Sequence, residues 1–394
     1  MIESVSIKNF RSIESVNVDL APITVLYGPT ASGKSTLLYA TQVLRNFVMN
    51  PNRQADGFFH LGFMDLGGFD ACVFNHETRN ITVAVTQKKD GTEITYGLTF
   101  GKTAGTVQLK LGALSMKENI TIPYGLNQSF AYPYKVGSEE YTINWNGIVC
   151  TVIPKNSTAE TQQKAQEIAS SLNAASEVLK GIDIAPHKRG FFKPNYTPVA
   201  VSTTPTTEDE VASIIINDPN LPARISVRAE EIFERDFRLH VPPGTATAFF
   251  QSTDKKSRIP VLLVNDGFGV NQVIYLLAKI YRADVHTVLI EEPEVHLHPT
   301  VLRNFARAMC DFATDENKQI VLTTHSDLFL SSILAVVSEG NLGKDEIKCY
   351  LALKEKKTTE YNEQKVQETG QIEGGLSSFV EAEIADLKKF LAVK

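Results

Sequence analysis

The chain lacks any cysteine pair at metal-binding or redox spacing. Its four cysteines, Cys72, Cys150, Cys310 and Cys349, stand far apart and form no C-x-x-C. That excludes a zinc ribbon or a dithiol couple, and free buried thiols in a reducing compartment are the expectation. No run approaches the ~18–20 apolar residues of a membrane span. The first residues hold no basic n-region followed by an apolar h-region, so no secretory leader is expected and the protein is read as cytosolic. Basic residues are not in excess. The formal net charge of −6 excludes a uniformly basic nucleic-acid surface but leaves room for a local basic groove. Internal repeats and low-complexity tracts are absent. The remaining composition, with 43% hydrophobic and 21% charged residues, is that of an ordinary globular protein with a real core.

The informative stretch is Tyr27-Gly28-Pro29-Thr30-Ala31-Ser32-Gly33-Lys34-Ser35-Thr36, a complete G-x-x-x-x-G-K-S phosphate loop. The apolar run Ile23 to Tyr27 precedes it and reads as a buried strand. Lys34 to Val48 follows without Gly or Pro, with Leu37, Ala40, Leu44 and Val48 at helical spacing. The motif therefore sits at a strand-to-helix turn. There Gly28 and Gly33 let backbone N–H groups face a phosphate chain, and the helix N-terminus favours the anion. Lys34 is the candidate for the β- and γ-phosphates of ATP, and the Ser35 hydroxyl for Mg²⁺.

Around this loop the chain reads as three stretches of one composite head. Residues 1–150 form an N-terminal lobe with the phosphate loop. Two strands with a turn near Asn9-Phe10-Arg11 come first. Residues 49–75 read as a surface loop system near the nucleotide. An antiparallel region of about five to seven strands follows from Asn80. Residues 151–260 read as an insertion of helices and loops, with helices at 158–179, 208–216 and 225–233. Arg224, Arg228, Arg235 and Arg238 are expected on a solvated face balanced by Glu230, Glu231 and Glu234. Residues 261–394 form a C-terminal lobe, with an amphipathic helix from Leu376 to Leu391.

The second half carries two further candidates. The buried strand Thr287–Ile290 ends in Glu291 and Glu292. A strand delivering two carboxylates is what a phosphate-loop ATPase needs: Glu291 for Mg²⁺ and Glu292 to polarise the attacking water. His325 closes another apolar strand after Val321-Leu322. If these strands run parallel, their ends open on one carboxyl edge and His325 reaches the γ-phosphate.

Taken as a set, Asn9-Phe10-Arg11-Ser12, the loop 28–36, Gly267-Phe268-Gly269-Val270-Asn271-Gln272, the run Ile290 to Pro299 (IEEPEVHLHP) and Thr324-His325-Ser326 resemble the ABC-class P-loop ATPases related to RecF and SMC heads. The closest resemblance is to the AAA-type ATPases of the OLD and abortive-infection (AbiEii-like) kind. The motifs run from residue 9 to residue 326. The resemblance implies an α/β P-loop NTPase with an ABC-type head, in which a mostly parallel central sheet joins an antiparallel region and a helical insertion. It implies a homodimer closed head-to-tail on two Mg-ATP. Lys34 and Ser35 then bind phosphate and magnesium. Glu291 takes the Walker B place, Glu292 that of the catalytic glutamate, and His325 that of the switch histidine. Asn265-Asp266-Gly267 takes the place of the signature Ser-Gly-Gly, and Arg11 lies near the nucleotide.

The pattern departs from the family in places. Asn265 replaces the signature serine, and His298 stands where a dimer-loop aspartate is usual. The nearest stretch to a Q-loop is Gly67–Asp70. Long coiled-coil arms are missing. Residues 326–394 lack a clustered Glu…Asp-x-Asp set, so a TOPRIM nuclease domain is not expected in this chain. The leading reading is an ATP-hydrolysing switch acting on DNA or on an effector such as a nuclease or toxin, with no membrane partner. A nucleotide-gated sensor with little turnover and a RecF-like DNA binder are the alternatives. The latter would use His187-Lys188-Arg189 and Lys354-Glu355-Lys356-Lys357.

Overall fold

The fold is taken from a computed structural model, which describes residues 1–373 and 375. The helix expected at Leu376–Leu391 lies outside them. The described chain divides into two compact units, interleaved along the sequence: Met1–Leu20, Ser35–Ile182 and Lys354–Glu360 in the first, Ala21–Lys34, Asp183–Leu353 and the residues from Tyr361 in the second. The three stretches read from sequence do not map onto these units, because the chain enters the second one early to place the strand Ile23–Tyr27 and then leaves it.

In the first unit a six-stranded antiparallel sheet runs in the order Ile13–Asp19, Ile2–Phe10, Ile81–Lys89, Thr92–Phe100, Ala104–Leu111, Leu114–Thr121. A three-stranded sheet adds Cys150–Pro154, Glu139–Trp145 and Phe130–Val136. Period-two alternation produces these strands, as in Ile81, Val83 and Val85, all buried on one face. The helix Ala159–Lys180 packs on Cys150–Pro154 and on the larger sheet, with Ile168, Leu172, Ala175 and Leu179 inward. Its N-terminus is closed by a Thr158/Thr161 capping box. Residues 49–75 depart from the surface loop expected of them. They fold into short helical turns at Ala55–Phe59, Gly68–Cys72 and Phe74–His76, and Phe58, Phe59, Phe69 and Phe74 are buried. Their rings pack on Phe10, Phe47 and Phe100. Aromatic burial outweighs the glycine-rich composition that made the segment read as solvated.

The second unit holds the sheet that matters for chemistry. Its order is Ile182–Ala185, Thr287–Glu291, Gln319–Thr324, Ile23–Tyr27, Ile347–Glu355, Thr358–Gln364. The inner neighbours pair in parallel, with Glu291 opposite Thr323, Thr324 opposite Tyr27, and Leu351 opposite Tyr27. Such strands are buried on both faces and read as unbroken apolar runs, VLI and IVL here. Helices Phe268–Ile280, Pro299–Thr314 and Asp327–Ser338 supply much of the surrounding core. A small antiparallel sheet of Arg235–His240, Phe249–Asp254 and Pro260–Leu262 stands where only helices and loops were expected.

The arginines of this unit are not a solvated face. Arg224 pairs with Glu316 and lies 4.1 Å over the Tyr281 ring. Arg228 pairs with Asp311 and Glu231 and lies over Phe312. Arg235 pairs with Asp266. Of the four expected on a solvated face, Arg238 alone stays mostly in solvent. A guanidinium stacks on an aromatic ring while its fork takes a carboxylate, so helical spacing alone misassigns its neighbours. No helix among the described residues is long and apolar enough to cross a membrane.

Candidate functional site

The register just given brings three chain turns to one sheet edge. Gly28 follows Tyr27, Glu292 follows Glu291 and His325 follows Thr324, and the three strand ends are level. In open α/β sheets the ligand crevice lies at this carboxyl edge.

The turn after Tyr27 is shaped by its glycines. Gly28 has φ +140°, and a Cβ placed on it would stand 2.4 Å from the carbonyl oxygen of Ala352. Gly33 has φ +94° and Ala31 +62°. Pro29, Thr30 and Ala31 are exposed at the tip, while Ser32 is buried and donates its N–H to the Pro29 carbonyl at 3.3 Å. The Tyr361 hydroxyl holds the Gly33 carbonyl at 2.8 Å. Lys34 folds back over the loop, its ammonium donating to the carbonyls of Gly28 at 3.0 Å and Pro29 at 2.8 Å. Burial pulls its pKa down to about 8, against Glu292 and Glu294, which hold it up. Ser35 and Thr36 follow in the first turn of the helix Lys34–Met49.

From Lys34 a polar chain leads across the edge. The His325 Nδ1 lies 3.5 Å from the ammonium, and its Nε2 lies 3.3 Å from Glu292 Oε1. Burial and the Lys34 charge push the imidazole pKa below its ordinary value, against Glu292, so the neutral ring is favoured. Glu292 has φ +43°, a left-handed conformation costing a non-glycine residue roughly 1–2 kcal/mol. Its N–H is fixed on the Thr323 carbonyl at 3.0 Å. Strain held at a carboxylate on this sheet edge is a pointer to function. Glu291 is buried beside it, its Oε2 3.8 Å from the exposed His187.

Two residues here were not singled out from sequence. Glu294 takes the Thr324 hydroxyl and the His325 N–H on one oxygen, each at 2.8 Å. Burial raises its pKa. Arg189, read as part of an exposed basic stretch, is 2% exposed. Its guanidinium donates to the carbonyls of Glu291 at 2.6 Å, Glu292 at 2.8 Å and Pro186 at 2.7 Å. Burial pulls its pKa down to about 10, with Glu294 and Glu291 opposing, so it remains charged at neutral pH. The signal for Arg189 was its position beside a buried strand, Ile182–Ala185, which four residues are too few to announce.

The remaining candidates stand in other local settings. Asn265 and Gly267 are exposed at the start of the helix Phe268–Ile280. Asp266 is turned inward, accepting from Arg235 at 3.0 Å and from the Gly267 N–H at 2.8 Å. It braces this loop. Arg11, in the first unit, is exposed with φ +52° and lies 5.2 Å over the Tyr39 ring. His298 caps the helix Pro299–Thr314, accepting from the Thr300 N–H at 3.4 Å. Gly67–Asp70 lies at the start of the short helix Gly68–Cys72 in the first unit.

The donor set suits a hard cation that arrives with phosphates. Among the described residues no three His, Cys, Asp or Glu cluster as a metal cage. Magnesium in nucleotide sites takes one or two protein oxygens plus phosphate and water, and the buried Glu291 carboxylate is an oxygen donor of that kind.

The chain is similar to known proteins in sequence and in fold. A family model described as an AAA ATPase domain matches residues 1–173, and one described as an AAA domain, putative AbiEii toxin, Type IV TA system matches residues 187–331. An OLD nuclease from Thermus scotoductus is 23% identical over 344 residues, a match covering 84% of this chain. The chain spans 60% of the length of that relative. Among solved structures, an SMC head bound to the C-winged helix domain of ScpA aligns with a TM-score of 0.50 at 9% identity, covering 93% of this chain and 98% of the other. An SMC head domain from Thermotoga maritima aligns at 0.45 and 11% identity, covering 93% and 99%. The fold is that of the SMC head domains, and the two family models describe AAA domains, one of them an AAA ATPase domain.

Proposed function

We propose that this head is an ATP-hydrolysing switch of the cytoplasm, closing as a head-to-tail homodimer on Mg-ATP and opening after hydrolysis. The observation that carries the reading is the contact chain Lys34–His325–Glu292 on one sheet edge, directly beside the glycine-shaped loop. The loop 28–34 cradles the phosphates through its backbone N–H groups, and Lys34 exchanges its carbonyl partners for the β- and γ-phosphate oxygens. Ser35 and Glu291 would hold Mg²⁺, which would supply charge neutralisation at the phosphates when bound. Glu292 accepts a hydrogen bond from the attacking water and directs its lone pair at the γ-phosphorus. His325, favoured as neutral, holds the Glu292 carboxylate and reads the γ-phosphate. Asn265 and Gly267, exposed at a helix N-terminus, reach the nucleotide held by the second copy.

The change on hydrolysis passes to DNA or to an effector. A nuclease or toxin component is the class we favour, since the matched relative is a nuclease and one matched family is described as a putative toxin. Burial of Arg189 leaves Lys188 as the exposed lysine or arginine of 187–189, which weakens the RecF-like reading.

The test is Glu292→Gln with Mg-ATP. The variant is expected to bind nucleotide as the wild type does, lose turnover by at least about a hundredfold, and accumulate as a dimer by light scattering. Turnover at the wild-type rate would refute Glu292 as the base. A wild type that dimerises on ATP yet releases no phosphate would favour the sensor reading.

A further inference from the structure

Residues 189–192 join the two halves of the candidate machinery. At one end the Arg189 fork holds the carbonyls of Glu291 and Glu292. At the other the Asn271 amide, 3% exposed, locks Phe191 on both sides of its backbone. Its Oδ1 accepts from the Phe191 N–H at 2.6 Å and its Nδ2 donates to the Phe191 carbonyl at 2.7 Å. The same amide reaches the Leu263 carbonyl at 3.4 Å, two residues before Asn265. Gly190, with φ +134°, passes so close that a Cβ there would stand 3.0 Å from Asn271 Oδ1. Beyond it the Phe192 ring stacks on Phe268 at 5.8 Å, and Phe268 meets His296 edge-on at 4.7 Å. A second tie runs alongside, from Gln272 Nε2 to the Val295 carbonyl.

We propose that Arg189–Phe192 is a positioning strap coupling the start of the helix Phe268–Ile280 to the left-handed turn at Glu292. The strap touches no reacting atom. It acts because Glu292 sits in a conformation that its own backbone disfavours, and the charge-assisted fork of Arg189 is what pins the carbonyls on either side of that residue. Movement of the loop 265–268 shifts Asn271, Asn271 carries Phe191, and Arg189 moves with it. In the switch proposed above, engagement of that loop by the second copy's nucleotide then sets the aim of the Glu292 carboxylate. Only the coupling of that loop to nucleotide and turnover rests on the ATPase reading.

The experiment separates the two. Amide hydrogen exchange is followed without nucleotide in wild type, Asn271→Ala, Arg189→Lys and Phe192→Ala, all as full chains. Asn271→Ala lies away from the carboxylates, yet exchange across residues 290–295 is expected to rise about tenfold, within the range of site-to-site coupling. Phe192→Ala changes only an exposed ring and keeps the test open where buried variants fold poorly; it is expected to raise the same exchange at least threefold, at the lower end of that range. Unchanged exchange over 290–295 in both variants overturns the strap. In turnover assays Asn271→Ala is expected to lower kcat about tenfold with KM within twofold, and Arg189→Lys added to it lowers kcat no further, since both cut one connection. Additive losses, or a matching loss of nucleotide affinity, overturn it as well. A wild type without ATP turnover sinks the ATPase reading alone, and the exchange data then decide the strap.

Discussion

Raising the pH from 7 to 9.5 should weaken ATP binding, and the structure gives the size of the effect. Burial holds the Lys34 pKa at about 8 in the nucleotide-free loop. A polyphosphate placed against the ammonium favours its charged form, so the pKa rises on binding. The bound state then carries more protons than the free state between the two pKa values. Added alkali therefore favours dissociation: affinity is full below pH 8 and falls about tenfold per unit above it, until the bound-state pKa is reached. If that value is at or above the ordinary one, about 3% of the free lysine is charged at pH 9.5, and Kd rises about thirtyfold. The other ionisable groups facing Lys34 are His325, Glu292 and Glu294. The assay is fluorescence titration with a labelled ATP and saturating Mg²⁺. Lys34→Arg is the control, since a guanidinium stays charged throughout and should flatten the profile whatever its own affinity. A flat wild-type profile, or an equal slope in Lys34→Arg, would refute the assignment of Lys34 as the phosphate-bound cation.

Two further outcomes follow from the same edge. Gly28→Ala forces a Cβ to 2.4 Å from a backbone oxygen at a φ that alanine disfavours. The loop must move, at a cost of about 2–4 kcal/mol, and loss of ATP binding with a lower melting temperature is expected; unaltered binding would show that the loop does not hold phosphate in this shape. Glu294→Leu strands the His325 N–H and the Thr324 hydroxyl and should cost about 2–4 kcal/mol in denaturant unfolding. Glu294→Gln keeps an acceptor and loses a charge that burial disfavours. The raised folded-state pKa means Glu294 weakens the native state as pH climbs through the carboxylate range, so Glu294→Gln should match or exceed wild-type stability at pH 7. Equal destabilisation by both substitutions would contradict that account.

What the sequence announced and what it hid divide along a physical line. The loop 28–36 and the strand ending in Glu291-Glu292 were legible because their chemistry is written in consecutive residues. Apolar runs of five bury, and the glycines and carboxylates that follow are forced to the sheet edge. Alternation likewise announced the hairpins from Ile81 to Trp145. The edge strands Ile182–Ala185 and Thr358–Gln364 were not legible. One is four residues long and the other, TTEYNEQ, is nearly all polar, because an edge strand has fewer neighbours to bury against. The edge strand Arg235–His240, RDFRLH, hid behind its charges for the same reason.

Arg189 is the most instructive omission. Local composition placed it in a basic loop, and a lysine or arginine there is solvated in most proteins. Its partners are main-chain carbonyls, one at Pro186 and two more than a hundred residues onward, and main-chain partners leave no mark on the residue types at those positions. Glu292 shows the converse. Its side chain declared a role, while its left-handed backbone could not be read from a residue type that seldom adopts it. These two facts are one arrangement: a strained carboxylate needs an external clamp, and the buried guanidinium is that clamp. A buried cation left without its acceptors costs several kcal/mol, so the charge is retained only where the carbonyls stay in place. Arg189 and the turn at Glu292 therefore stabilise each other, and a substitution that relaxes the turn, such as Glu292→Gly, should loosen Arg189 as well as remove the carboxylate.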